Sequence, residues 1–378
     1  MKENRRDFIR KTTSIAAAIT AGSSAVAGVG RLSSKKITAP DPVENIRDSG
    51  MQMSLAYFWG IEPSRIALAR QMDVLGAVGG INTRMAGLPD GAKAWDYESV
   101  MAVKEAWNKQ GLKFTVVEGP PSLGEKTKLG LEGRDEEIAN FITLMKNLSR
   151  AGIRIICYNW MPVIGWYRTD KARLGRGEAL VTAFDNDQIK DQSLTDYGPI
   201  SKEKLWTNLE YFLKAVVPEA EKYGIRLAMH PDDPQVDEIR GISRIMTTVE
   251  NFNRMLDIYP SASNGITMCQ GNFSLMGADI PTVVREFGKR GAIHFVHFRN
   301  VRGGKFKFEE CFHDEGQINM HEAMQAYYDI GFRGPIRPDH VPTMAGDSNE
   351  KPGYSTIGVL YACGYIRGLM EGVSKQNR

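Results

Sequence analysis

The stretch RDEEIANFITLMKNLSRAGIRIICYNW (134–160) decides how the rest of the chain is read. Its first half places Ile138, Phe141, Ile142 and Met145 three or four residues apart, the spacing of an amphipathic helix. Its last seven residues, RIICYNW (154–160), form a short apolar run of strand length. Working outward, the same alternation recurs. Strands are predicted at 53–59, 77–84, 113–118, 154–160, 226–230, 265–270, 293–300 and 335–340. Helical patterns lie at 63–75, 96–110, 134–150, 202–223, 247–258, 280–290, 319–330 and 355–373. Eight strands alternating with eight helices over about 320 residues predict the α/β class, as a single-domain parallel (β/α)8 barrel over residues 49–375. A doubly wound open sheet is the alternative, but no G-x-G-x-x-G follows the first strand. Residues 161–200, polar and irregular, read as an insertion after the fourth strand, on the side where barrels carry their active sites.

Composition narrows the function class. The 378 residues are 42% apolar and 25% charged, with a net charge of +3 and no stretch combining Lys and Arg with aromatics, which argues against a nucleic-acid partner. No apolar run reaches the roughly 18–20 residues of a membrane span. Four widely spaced cysteines without a C-x-x-C pair do not form a disulfide framework. The N-terminus is a separate element. Arg5-Arg6, then Phe8 and Ile9, precede a mildly apolar, acid-free stretch ending near Ala25-Val26-Ala27. This resembles a twin-arginine signal over residues 1–27, followed by a linker over 28–48. It implies the twin-arginine export machinery as a partner and a periplasmic destination; a basic N-terminal tail on a cytoplasmic protein is the alternative.

A barrel puts its chemistry at the C-terminal ends of the strands. Read in order, those ends give His230, Cys269, His297 and Asp339, one from each of four consecutive strands. Two imidazoles, a thiolate and a carboxylate suit a divalent transition metal. Strand periodicity selects His297 over His294, since residues three apart face opposite sides. Singly, each has a plainer reading: His230 and Asp339 as turn residues, Cys269 as a small buried hydrophobe, His297 as a core histidine. Their common placement at successive strand tips favours a site. His294 and His321 read as structural or surface groups.

The runs CYNWMPVIGWYRTD (157–170), MHPDDP (229–234), NGITMCQGN (264–272), HFVHFRN (294–300), PIRPDH (335–340) and KPGYSTIG (351–358) resemble the mannonate dehydratases in order and spacing, from about residue 50 to 373. The resemblance implies a metal-dependent barrel that removes water from D-mannonate, or a related aldonate, to give 2-keto-3-deoxy-D-gluconate. It implies manganese or iron held by His230, Cys269, His297 and Asp339. It places the acid/base pair on His340 and Tyr354, and a further histidine of the pocket at His313. Histidine carries protons near neutral pH, whereas a tyrosine acting as base needs its pKa lowered. Arg168 is the candidate grip for the substrate carboxylate, by two parallel bonds from one guanidinium. The expected partners are a sugar acid and, as a candidate assembly, a homodimer.

Three strand-end segments depart from the family's pattern. Gly165 stands where Asp is common, EGPPSLGE (118–125) replaces a segment ending in His-Glu, and AYFWGIEPS (56–64) replaces RWYGPND. Polar groups lost from a pocket change which hydroxyls it matches. Two rivals remain: a metal-dependent sugar isomerase or epimerase on the same barrel type, and an exported sugar-acid binding protein without catalysis. Cys269 and Tyr354 count against the first, and the intact ligand set and His340 against the second.

Overall fold

The predicted apolar runs pair edge to edge into a closed ring. The computed structural model describes residues 49–376 except Asp191; the predicted signal (1–27) and linker (28–48) lie outside the described residues. Among them are the strands β1 (Gln52–Ala56), β2 (Gly76–Gly79), β3 (Lys113–Glu118), β4 (Ile155–Asn159), β5 (Asp170–Leu174), β6 (Leu180–Asp185), β7 (Arg226–His230), β8 (Glu238–Ile239), β9 (Ile242–Ser243), β10 (Asn264–Cys269), β11 (Ile293–Phe298), β12 (Asn300–Gly304), β13 (Lys307–Cys311) and β14 (Pro335–Pro338). The barrel closes in the order β1-β14-β11-β10-β7-β4-β3-β2, with every neighbouring pair parallel.

A helix follows each barrel strand and buries its apolar stripe against the outside of the ring. The longest, Lys202–Tyr223, starts where the Ser201 hydroxyl accepts from the Lys204 backbone N–H, and stops at Gly224, whose φ of 61° suits glycine. Its Leu209, Phe212, Leu213 and Val216 are wholly buried, each contributing roughly 1.5–3 kcal/mol of apolar burial. Inside the ring, Val78, Val116, Ile155, Cys157, Ala228 and Phe295 pack together as a filled layer. Phe295 faces that interior, so period 2 turns His297 inward as well, while His294 points away and bonds the Leu227 carbonyl at 2.8 Å.

The insertion is more ordered than its polarity predicts. β5 and β6 pair antiparallel, and β6 joins β13 to make a four-stranded sheet in the order β12-β13-β6-β5. The hairpin of β12 and β13 follows β11 directly, so two crossover segments far apart in sequence build one sheet over the barrel mouth. Phe184 and Phe308 pack at 5.7 Å between ring centres and anchor it. Neither strand of a pair can bury its apolar face until the other segment arrives, which is why each segment alone reads as loop.

Candidate active site

Four strand tips meet at the mouth of the barrel. His230 ends β7, Cys269 ends β10, His297 lies one residue before the end of β11, and Asp339 follows β14. Metal-ligating atoms of His230, Cys269 and His297 lie within 4.8 Å of one another. His230 Nε2 is 3.2 Å from His297 Nδ1, while His230 Nδ1 is turned to the Pro231 carbonyl at 2.7 Å, which fixes the ring. The Asp339 carboxylate reaches two of the three, at 3.6 Å from Cys269 Sγ and 3.9 Å from His297 Nδ1. The predicted four therefore come together.

Asp339 and His340 share this site although they are neighbours in sequence. Alternation along β14 turns Arg337 and Asp339 inward. His340 then adopts a φ of 25°, outside the range open to most residues, and swings back instead of pointing outward. The Val341 backbone N–H donates to the Gly353 carbonyl at 2.8 Å and holds that bend. The same pairing brings Tyr354 round, with its hydroxyl 3.4 Å from Asp339 Oδ1. His340 and Tyr354 rings lie edge to face at 5.5 Å.

Sequence reasoning missed five charged residues here. Arg337 donates to Glu118 at 2.9 Å and to Asp339 at 2.7 Å, tying β14 to the tip of β3. Behind His340, Arg299 pairs with Glu310 at 2.8 Å and Asp233 at 3.1 Å, and Arg168 pairs with the same two acids at 2.6 and 2.5 Å. Glu118 was legible as an acid closing an apolar strand, and Arg337 as a charge within one. Glu310 was not, because it sits on the hairpin that the sequence did not reveal.

The expectation for Arg168 is corrected by this network. Its side chain has no exposed surface, both carboxylate partners occupy its guanidinium, and it does not line the cavity. His313 is likewise set behind the site: its Nε2 lies 2.7 Å from the Phe298 carbonyl and the ring stacks on Phe298, away from the cavity wall. Cations that do face the cavity are Lys171, Lys351 and Arg337. The cavity has a volume of about 440 Å³ and is also lined by His230, Asp339, His340 and Tyr354.

Burial and charge set the protonation states. Burial drives the His230 ring down to about 3, and the adjacent His297 adds to this, so the imidazole is neutral and free to ligate. Burial and then Arg337 lower His297 as well. Burial opposes ionisation of Glu118, but Arg337 and His297 outweigh it and hold the carboxyl at about 2. Asp339 is held well below its ordinary value by His340, Arg337 and Arg299, again against burial. Burial pushes the Cys269 thiol up, with Arg299 opposing. Burial and the Asp339 carboxylate raise Tyr354, which keeps its proton on the phenol.

The residues fit a divalent cation. His297 Nε2 is buried with no hydrogen-bond partner, 3.5 Å from Glu118, as befits a ligand ring steadied by a carboxylate behind it. In the linked cluster, the carboxylates of Glu118, Asp233, Glu310 and Asp339 outnumber the guanidiniums of Arg168, Arg299 and Arg337 by one. A thiolate at Cys269 doubles that excess, and a divalent ion cancels it. Buried charge without such balance is costly.

The family model for D-mannonate dehydratase (UxuA) matches residues 51–197 and 188–378. A mannonate dehydratase of Thermotoga maritima is 34% identical over 364 residues, covering 86% of this chain and 99% of its own length. Mannonate dehydratase 2 of Halalkalibacterium halodurans is 37% identical over 308 residues, covering 74% and 88%. The crystal structure of the mannonate dehydratase of Streptococcus suis superposes with a TM-score of 0.78 at 33% identity, over 86% of this chain and 94% of that one. A D-psicose 3-epimerase superposes at 0.53 with 12% identity, which speaks for the shared barrel alone.

Proposed function

The chain belongs to the D-mannonate dehydratase family, and from that premise we propose that it removes water from D-mannonate or a close aldonate to give 2-keto-3-deoxy-D-gluconate. The observation that carries this reading is the meeting of His230, Cys269, His297 and Asp339 beside His340 and Tyr354. We assign the first four as ligands of manganese or iron, and the last two as the proton-transfer pair.

Such an ion, when bound, polarises substrate oxygens and so eases both loss of the C2 proton and departure of the C3 hydroxyl. The chain's own groups do the rest. His340 turns Nε2 towards the cavity, with Asp339 Oδ1 3.8 Å away, and takes the C2 proton. Tyr354, kept protonated by burial and by Asp339, gives its proton to the leaving C3 oxygen. The enol left behind picks up a proton at C3 and becomes the keto acid.

Metal analysis tests the assignment. Protein purified from medium containing manganese and iron is expected to hold close to one ion per chain, and Cys269→Ala to hold far less. Equal metal in both proteins would remove Cys269 from the ligand set.

We also propose that Arg5 and Arg6 direct export through the twin-arginine route, on the strength of the motif in the sequence. Cell fractionation of the full chain is expected to find it in the periplasm, and the double change Arg5→Lys with Arg6→Lys to hold it in the cytoplasm. An unchanged distribution would contradict this.

A further inference from the structure

Two large aromatics, Phe58 and Trp59, line the cavity beside its polar reaction centre. Its volume of about 440 Å³ falls within the roughly 300–1,000 Å³ of pockets that enclose drug-sized ligands. At the inner end stand the groups that react. At the outer end Phe58 and Trp59 line the wall yet remain 36% and 48% exposed. Large aromatics left bare beside a polar reaction centre call for a reason.

They are also held in place. Each packs edge to face on Tyr354 with ring centres 5.5 Å apart. Lys351 Nζ lies 5.0 Å above the Trp59 ring while its charge is fixed by Glu62 at 2.7 Å. Glu350 and Lys171 complete this rim. Gly165 also lines the cavity, and a Cβ there would meet nothing within 4 Å, so the space beside it is open.

We propose that this mouth is a second subsite that seats a sugar ring joined to the aldonate, so that the preferred substrate is a glycosyl-aldonate. The reading rests on the dehydratase function above and names its substrate class. A pyranose has one face of C–H groups, which suits a fixed aromatic ring, and an edge of hydroxyls, which suits alternating ammonium and carboxylate groups. A purely alkyl substituent would leave the Glu350 carboxylate and the Lys171 ammonium without hydroxyl partners. The linkage must spare C2 and C3, where the reaction takes place, and therefore leaves from O4 or beyond. Phe58 and Trp59 sit in the turn one residue beyond β1, where their packing on Tyr354 sets their position.

Titration calorimetry on the manganese-loaded protein tests this, with D-mannonate and a 4-O-glucosyl-D-mannonate as the two ligands. The glycosylated acid is expected to bind about tenfold more tightly. That ratio is expected to fall to near one in Trp59→Ala and to survive in Trp59→Phe, which keeps a platform and guards against a merely misfolded variant. A wild-type ratio near one, or a ratio untouched by Trp59→Ala, overturns the proposal. So does tighter binding of a 4-O-alkyl-D-mannonate, which would make the mouth an apolar slot, or loss of a dimer in Trp59→Ala, which would make Trp59 an interface residue. Product analysis on the same samples separates the two readings. Selective binding with no keto acid formed from either ligand would sink the dehydratase function and leave the subsite standing.

Discussion

His340 Nδ1 lies 3.0 Å from Glu310 Oε1, and the guanidinium of Arg299 meets the same ring nitrogen. The ring of His340 on the barrel is thus aimed by a residue of the antiparallel sheet over its mouth. Glu310 is fixed in turn by Arg168 at 2.6 Å and Arg299 at 2.8 Å. The sheet over the mouth and the barrel are coupled at His340, the histidine we assign to proton transfer.

Glu310→Gln keeps the shape and removes the charge that holds Arg299 and His340 together. We expect kcat to fall by about 10–100-fold with KM little changed, as for other groups that orient a reacting residue. Steady-state kinetics checks this; a rise in KM with kcat intact would make Glu310 a substrate contact instead.

Direct loss of a proton carrier should cost more. Tyr354→Phe removes one hydroxyl and leaves the ring against Phe58 and Trp59, so kcat is expected to drop by about 10²–10⁴-fold. Thermal unfolding of the variant should stay close to the parent's, which separates chemistry from packing.

Arg168→Ala leaves Asp233 and Glu310 short of a partner in a site closed to water. Breaking a buried pair from one side costs about 3–5 kcal/mol. Urea denaturation is expected to show that loss. A change under 1 kcal/mol would mean the cluster repacks.

Acid should weaken the metal-free fold in a defined window. His230 is driven from 6.5 to about 3 by burial and then by His297. The unfolded chain therefore takes up that proton before the folded one does, and stability present above pH 6.5 is lost as pH falls towards 3. Glu118, lowered from 4.5 to about 2 by Arg337 and His297 against burial, extends the loss below pH 4.5. The urea midpoint is expected to decline from about pH 6.5 downwards, and His230→Asn to flatten the upper part of that decline.

How much of this was legible can be read from single residues. The barrel was, because strands buried on both faces, such as IICYN in β4, stand out as unbroken apolar runs between amphipathic helices. So was the meeting of His230, Cys269, His297 and Asp339, because strand tips of a barrel converge. Arg168 misled because a charged residue in a polar segment reads as exposed, whereas the fold encloses it between Asp233 and Glu310. Glu310 and the sheet that carries it were illegible because β6 and β13 are paired across more than a hundred residues, and neither is stable without the other. Exposure of Phe58 and Trp59 was beyond sequence too, since an aromatic pair after a strand reads as core.

Product analysis on manganese-loaded protein supplied with D-mannonate decides whether the chain is a dehydratase. The expected product is 2-keto-3-deoxy-D-gluconate by NMR, formed at a rate that collapses in His340→Asn. An isomer or epimer of the starting acid, or no turnover with the metal bound, would contradict it.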